Sequence, residues 1–454
     1  MLMDRERTLV DLALVNAKIH TAQGLVRVGI AIDDGKIWGV ARDDRLPKAS
    51  QTVDLHGNLV LPGLIDVHTH LRGLGLAYKE DFYSGTCAAL AGGFTTVLDM
   101  PNTLPLTNSA PRLREKMALV QQACVANVGF FACLPTTTAA FHALKDCGVV
   151  GFKVFLHRPL TALDVDDDAV LRRVLTVVRD LDLLLAVHAE DRGILDGLEA
   201  KFRAETDMSP RIHSKTHPPR AETRAVKRVL GLIHGINPRL HFCHISTGQA
   251  SALIARAKTR GLRVTYEVTP HHLLLSAARL NTVQALALVD PPLRSDRAKR
   301  GLWRDFLTGR VDIVASDHAP HSLQEKRRAN VWDVPSGFPG LETTLPLLLT
   351  QVHQGRLSLG RVIDVLARNP ARIFRLNRKG AIAKGFDADL TVVDLAEESV
   401  IDASTFHSKA KYSPFEGQKV VGRPIQVFLG GQLVMNDGEI VSKSGSGHIL
   451  RPHA

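Results

Sequence analysis

Leu64-Ile65-Asp66-Val67-His68-Thr69-His70-Leu71, the stretch LIDVHTHL, is where this chain changes its repeat. Before it, residues 10–61 alternate apolar and polar positions in short runs broken by Asp-Asp-Gly and His-Gly-Asn turns, as hairpin strands do. After it, seven more short apolar runs follow: TTVLDMPN, ANVGFFACL, VVGFKVFL, LLLAVHAE, LHFCHIS, LRVTYEVT and VDIVASDHAP. Helix-like stretches separate them, among them FYSGTCAALAGG, DDAVLRRVLTVVRDL and RAETRAVKRVLGLI. A strand covered on both faces reads as a continuous apolar run rather than an alternation. Eight such runs alternating with helices predict an α/β fold, a (β/α)8 TIM barrel over residues 59–369.

Beyond Asn369-Pro370 the β pattern returns in FDADLTVVDL and VVGRPIQVFLGGQLVMNDGEIV. Neither terminal set of strands is large enough to be stable alone, so residues 8–58 and 370–443 are expected to form one small composite β-sandwich. The Gly/Ser-rich end, 444–454, is expected to be a flexible tail.

Composition narrows the function. Of 454 residues, 45% are hydrophobic, and no run reaches the ~18 apolar residues of a membrane span. The start, MLMDRERTLVDLAL, lacks the apolar core and small-residue cleavage site of a signal peptide. Five cysteines, Cys87, Cys124, Cys133, Cys147 and Cys243, show no CxxC spacing and suit free thiols in a reducing cytoplasm. The net charge of +11 comes from scattered basic residues without interleaved aromatics, which argues against nucleic acid and for attraction of a small anionic substrate.

The chemistry lies at the ends of the apolar runs. His68 and His70 are two apart on a strand, so both imidazoles face the same way and can share one ion. His188 and His244 offer imidazoles for a second. Two cations ~3.5–4 Å apart need an anionic bridge, and Lys153 in GFKVFL can supply it. A lysine in an apolar strand is costly to hold as a cation, and a neutral amine captures CO2 to give a carbamate with two anionic oxygens. The alternative is a lysine whose head snorkels to the rim. Asp317 in IVASDHAP can touch a metal and carry a proton from a nucleophile to a leaving nitrogen; its alternative is a helix N-cap. Arg72 lies two residues after the histidine pair, and its planar fork suits a carboxylate, against the alternative of a surface ion pair.

These residues resemble the amidohydrolase superfamily. HTHLR, KEDFYSGTCAALAGGFTTVLDMPNTLP, GFKVFL, VHAED, CHIST, EVTPHHL, PPLRSD, ASDHAPH, PGLET and SPFEG are similar, within it, to dihydroorotases over nearly the whole chain. The resemblance implies two zinc ions held by His68, His70, carboxylated Lys153, His188, His244 and Asp317, with Asp317 as general acid and base. It implies that Arg72, Asn102 and His321 bind the substrate carboxylate, and that main-chain groups of Ser336 and Gly337 approach the ring. The implied reaction interconverts L-dihydroorotate and N-carbamoyl-L-aspartate in pyrimidine synthesis. The alternatives are another cyclic amidohydrolase (allantoinase, hydantoinase or dihydropyrimidinase) and a non-catalytic scaffold of the same fold. A homo-oligomer, dimer or tetramer, and association with an aspartate carbamoyltransferase are also implied. The chain departs from the family pattern at Gly73-Leu74-Gly75 and at Asp290, where relatives often have Asn. A carboxylate at 290 would repel a dianionic substrate unless it faces away or is neutralised.

Overall fold

The computed structural model describes residues 9–205 and 208–452. Residues 1–8, on which the reading of the N-terminus partly rests, lie outside the described residues.

All eight apolar runs are strands of one parallel sheet: Leu64–Thr69, Phe94–Asp99, Asn127–Cys133, Gly151–Phe155, Leu184–His188, Arg239–Phe242, Val264–Val268 and Ile313–Val314. Their order in the sheet is their order in the chain. A parallel bridge between Thr69 and His318 joins the first strand to the segment after the last, closing the barrel. Asp66 reinforces that seam, accepting from the His68 and Ser316 main-chain N–H groups at 3.0 Å each.

The period-two geometry of strands sorts residues between two cores. In Leu184–His188, Leu185 and Val187 pack outward with helix residues such as Leu171 and Val174. Leu184 and Ala186 pack inward with Phe131, Cys243 and Ile313. Lys153 likewise sits between Phe152 and Val154, both of which join the outer layer. The inner positions therefore run from an apolar plug at the base to polar side chains at the rim. Helices Phe82–Ala91, Asp168–Asp180 and Pro219–Leu232 lie where the sequence predicts them. Aspartates cap the first two: Asp81 accepts from Ser84 N, and Asp167 from Ala169 N.

The terminal segments share a nine-stranded sheet of mostly antiparallel pairs. Leu59–Pro62 is its keystone, pairing parallel with Leu9–Thr21 and antiparallel with Leu390–Val400. The sheet thus reaches Pro62, and the barrel begins at Leu64. One apolar core draws Leu12, Ile30 and Val60 from the first segment together with Leu390, Val392 and Phe428 from the last. No described helix is long and apolar enough to cross a membrane.

The tail corrects an expectation. Residues 444–452 are docked rather than flexible: Val128 N donates to His448 O and Leu450 N to Val128 O, each at 2.9 Å. Leu450 packs against the inner core. Val128 is the second residue of the third barrel strand, so the tail closes the end of the barrel opposite the rim. Gly/Ser composition reports weak local preference, and it is pairing with the strand that fixes this segment. Deleting 444–454 should expose this apolar base and lower Tm by about 1–2 °C, on the order of 1–2 kcal/mol. A melt indistinguishable from full length would show that the docking contributes nothing.

Candidate active site

Strand ends bring the donors together. His68 Nε2 and His70 Nε2 each lie 3.4 Å from Asp317 Oδ1. The His244 ring stands 5.1 Å from that of His68 and 4.6 Å from that of His188. Lys153 completes the group from below; its Nζ contacts Cys243 Sγ at 2.9 Å, and among the described residues it has no carboxylate partner. The structure therefore places all six sequence-predicted metal donors in one buried neighbourhood.

The donor set fits divalent cations. Burial, with Lys153 adding to it, pushes the His68 imidazole down to about 4. Burial, with Arg72 beside one and His188 beside the other, holds His70 and His244 well below the usual histidine range. Neutral imidazoles keep a lone pair for a metal. His244 Nδ1 is buried without a hydrogen-bond partner, an orphan that a cation would satisfy. Burial raises the Asp317 carboxyl, opposed by His68 and Lys153.

Carboxylates behind the rings set their orientation, as is usual around metal-binding histidines. Glu267 holds His68 through Nδ1 in a short contact, His241 Nε2 at 3.0 Å and the His244 main-chain N–H at 3.2 Å. Burial opposes its ionisation, yet the His68 and His241 rings keep it below the usual carboxylate range. Glu190 bridges His188 Nε2 at 2.8 Å and His217 Nδ1 at 3.0 Å. Arg72, His244 and Asp317 all adopt positive φ, at 57°, 33° and 49°. Such strain in non-glycine residues clusters at functional sites.

The rim encloses a cavity of about 400 Å³. Arg72 lines it, 7% exposed, and no described carboxylate lies within ion-pair distance. Its Nε donates to Pro320 O at 3.2 Å, and its Nη2 lies 3.1 Å from His321 Nε2. Lys79 Nζ, 3.0 Å from His321 Nδ1, approaches from the other side. Asn102 also lines the cavity, but its Oδ1 is engaged by His70 Nδ1 at 2.7 Å, so only its amide N–H groups face outward tasks. Ser336 O accepts from His321 at 3.0 Å. Gly337 has its N–H on Leu288 O at 2.8 Å and its carbonyl on Lys326 Nζ at 3.0 Å, so its polar groups serve the protein. A side chain at Gly337 would meet Ala319 O at 2.5 Å, and its φ of 124° independently requires glycine.

Asp290 faces the cavity and is neutralised. His213 Nε2 lies 2.7 Å from its Oδ1, and Ser336 Oγ donates to the same oxygen at 3.1 Å. Burial opposes ionisation, yet His213 and His217 hold the carboxyl well below its usual range. Sequence reasoning missed His157, His213, His217, Glu190 and Glu267 as site residues. The one available signal was the i, i+4 spacing of His213 and His217 in IHSKTH.

A barrel with this donor set at its C-terminal rim defines a hydrolase of the metal-assisted type. The comparisons narrow the class: an amidohydrolase family model matches residues 59–434, and the chain belongs to that family. It is 39% identical to a dihydroorotase of Methanothermobacter thermautotrophicus, covering 96% of this chain and 97% of that protein. It is 30% identical to an L-hydantoinase of Paenarthrobacter aurescens, covering 97% of this chain and 98% of that protein. Among solved structures, the L-hydantoinase (dihydropyrimidinase) from Arthrobacter aurescens superposes with a TM-score of 0.93 at 30% identity, covering 97% and 99% of the two chains.

Proposed function

We propose that this protein is a dihydroorotase, hydrolysing and re-forming the ring of L-dihydroorotate, with N-carbamoyl-L-aspartate as the open form. The observation that carries the reading is Arg72: a buried guanidinium that lines the cavity and, among the described residues, has no carboxylate within ion-pair distance. An unpaired buried charge is costly, and a substrate carboxylate relieves it with a bidentate pair. His321 lies in the same corner, while Lys79, 3.0 Å from its Nδ1, is held by Glu325 Oε1 at 2.8 Å.

His68, His70, His188, His244, Asp317 and carboxylated Lys153 are the residues we assign to a pair of zinc ions. When bound, that pair polarises the ring carbonyl and activates water near neutral pH. Arg72 fixes the carboxylate, and the Asn102 amide supports it, so that the scissile carbonyl is held over the donor cluster. Asp317 takes the proton of the attacking water and gives it to the ring nitrogen as the C–N bond breaks. Opening the ring creates a second carboxylate and releases a proton, so acid favours cyclisation and alkali favours hydrolysis. Dihydroorotate at alkaline pH and carbamoyl aspartate at acid pH, followed by ring absorbance, test both directions. The five free cysteines are consistent with a reducing cytoplasm.

Dihydroorotate should exceed dihydrouracil in kcat/KM by about 10²-fold or more, on the order of 3 kcal/mol for one charged contact that also orients the carbonyl. Arg72→Met should remove most of that preference while leaving bound metal unchanged. The likeness to an L-hydantoinase favours a second reading, a cyclic amidase for rings without a carboxylate. A wild-type preference for hydantoin or dihydrouracil would establish that reading instead.

A further inference from the structure

Beyond the main donor cluster the imidazoles continue toward solvent. The His157 ring lies 4.2 Å from His188 and 6.3 Å from His217, and His217 lies 4.5 Å from His213. His213 and His217 are one helical turn apart at the end of Arg211–Thr216, joined by His217 N donating to His213 O at 3.1 Å. Both face Asp290 across the mouth of the cavity.

We propose that His213, His217 and Asp290 form a third divalent-cation site, for an ion of the zinc class, separate from the main centre. The three ligand atoms lie within 4.8 Å of one another. Asp290 Oδ1 is 2.7 Å from His213 Nε2 and 4.0 Å from His217 Nε2. These distances bracket the edge of roughly 3.4 Å expected between ligands around a tetrahedral zinc with bonds of about 2.0–2.1 Å. Two imidazoles and one carboxylate, with the fourth position open to the cavity, are a sufficient zinc donor set.

The residues behind these ligands are also in place. Glu190 accepts from His217 Nδ1 at 3.0 Å, which leaves the Nε2 lone pair directed at Asp290. This is the carboxylate–histidine arrangement that orients metal ligands. Ser336 Oγ fixes Asp290 Oδ1. His213 Nε2 also lies 3.1 Å from Val289 O, a contact that an ion would replace. A second observation lies between the two clusters: His157, 7% exposed, has its Nδ1 buried without a partner, with its ring 4.2 Å from His188 and 6.3 Å from His217. A cation at the mouth narrows access to the main centre, so zinc beyond that needed for activity inhibits.

The test compares zinc bound per chain by holoenzyme and by His213→Gln after equilibrium dialysis against graded zinc, counted by elemental analysis. Wild type should hold one ion more, and its inhibition by excess zinc should require about 10-fold or more higher zinc in the variant. Should His213→Gln melt below wild type, Asp290→Asn, which preserves volume, carries the same count. Equal zinc content in wild type and the folded variant would overturn the site, as would an Asp290→Asn variant holding as many ions as wild type. The readout is a difference between two proteins, so it stands whichever ring the enzyme opens and however many ions the main centre holds.

Discussion

A Lys153→Ala enzyme is expected to lose most of its bound metal and nearly all of its turnover, and to regain part of both when supplied with a short carboxylic acid such as acetate. The lysine is 2% exposed, and among the described residues its amine faces Cys243 Sγ rather than an acidic partner. Four imidazoles and one aspartate leave two close cations poorly compensated. A carbamate at Nζ would add one negative charge and two oxygens able to hold both ions. Removing it would expose the ions to each other's repulsion, which a diffusible carboxylate of similar size would relieve in part. Metal content and rate, each measured with and without acetate, check the expectation. An alanine variant that keeps two tightly bound ions and full activity would show that the bridge is not Lys153.

Asp317→Asn should behave differently, keeping much of its metal while turnover falls by several orders of magnitude. General acid–base groups contribute about 10²–10⁴-fold, and in the proposed mechanism one residue serves both the attack and the departure of the nitrogen. Its oxygen lies 3.4 Å from both His68 and His70, close enough to ligate and to accept a proton. Burial already raises its carboxyl, which makes it a better base. The amide keeps shape and a carbonyl oxygen but cannot take the proton. If the variant instead empties the site of metal, Asp317 is chiefly a ligand and the proton carrier must be sought elsewhere.

The barrel was readable because a parallel barrel strand is apolar on both faces, so each appears as an uninterrupted run with its chemistry where the run ends. Even the two-residue strand Ile313–Val314 was marked by the longer run VDIVASDHAP around it. The candidate metal donors were readable for the same reason, since His68, His70, His188, His244 and Asp317 lie at or just past strand ends, and Lys153 lies within one. Less was legible where function depends on residues meeting across the fold. Glu267 looks like a stray charge in LRVTYEVT until His68 and His241 are seen against it. His213 and Asp290 lie far apart in sequence, and the i, i+4 spacing of His213 and His217 does not reveal that they meet Asp290. Asp290 looked like an electrostatic liability because its compensating histidines are not its neighbours in the chain. Gly337 was assigned main-chain contacts that the fold has already used.

The keystone strand Leu59–Pro62 also sets a timetable for biogenesis. Val60 pairs with Val392, so the first strands leave the ribosome long before their partners exist. At roughly 5–20 residues per second, the ~330 residues between them take ~20–60 s to make. Throughout that interval Leu12, Ile30 and Val60 lack the cover later given by Leu390, Val392 and Phe428. The nascent chain therefore carries an open, apolar sheet edge for the whole synthesis of its barrel, the condition under which holding chaperones are needed and strand exchange between neighbouring chains competes with correct closure.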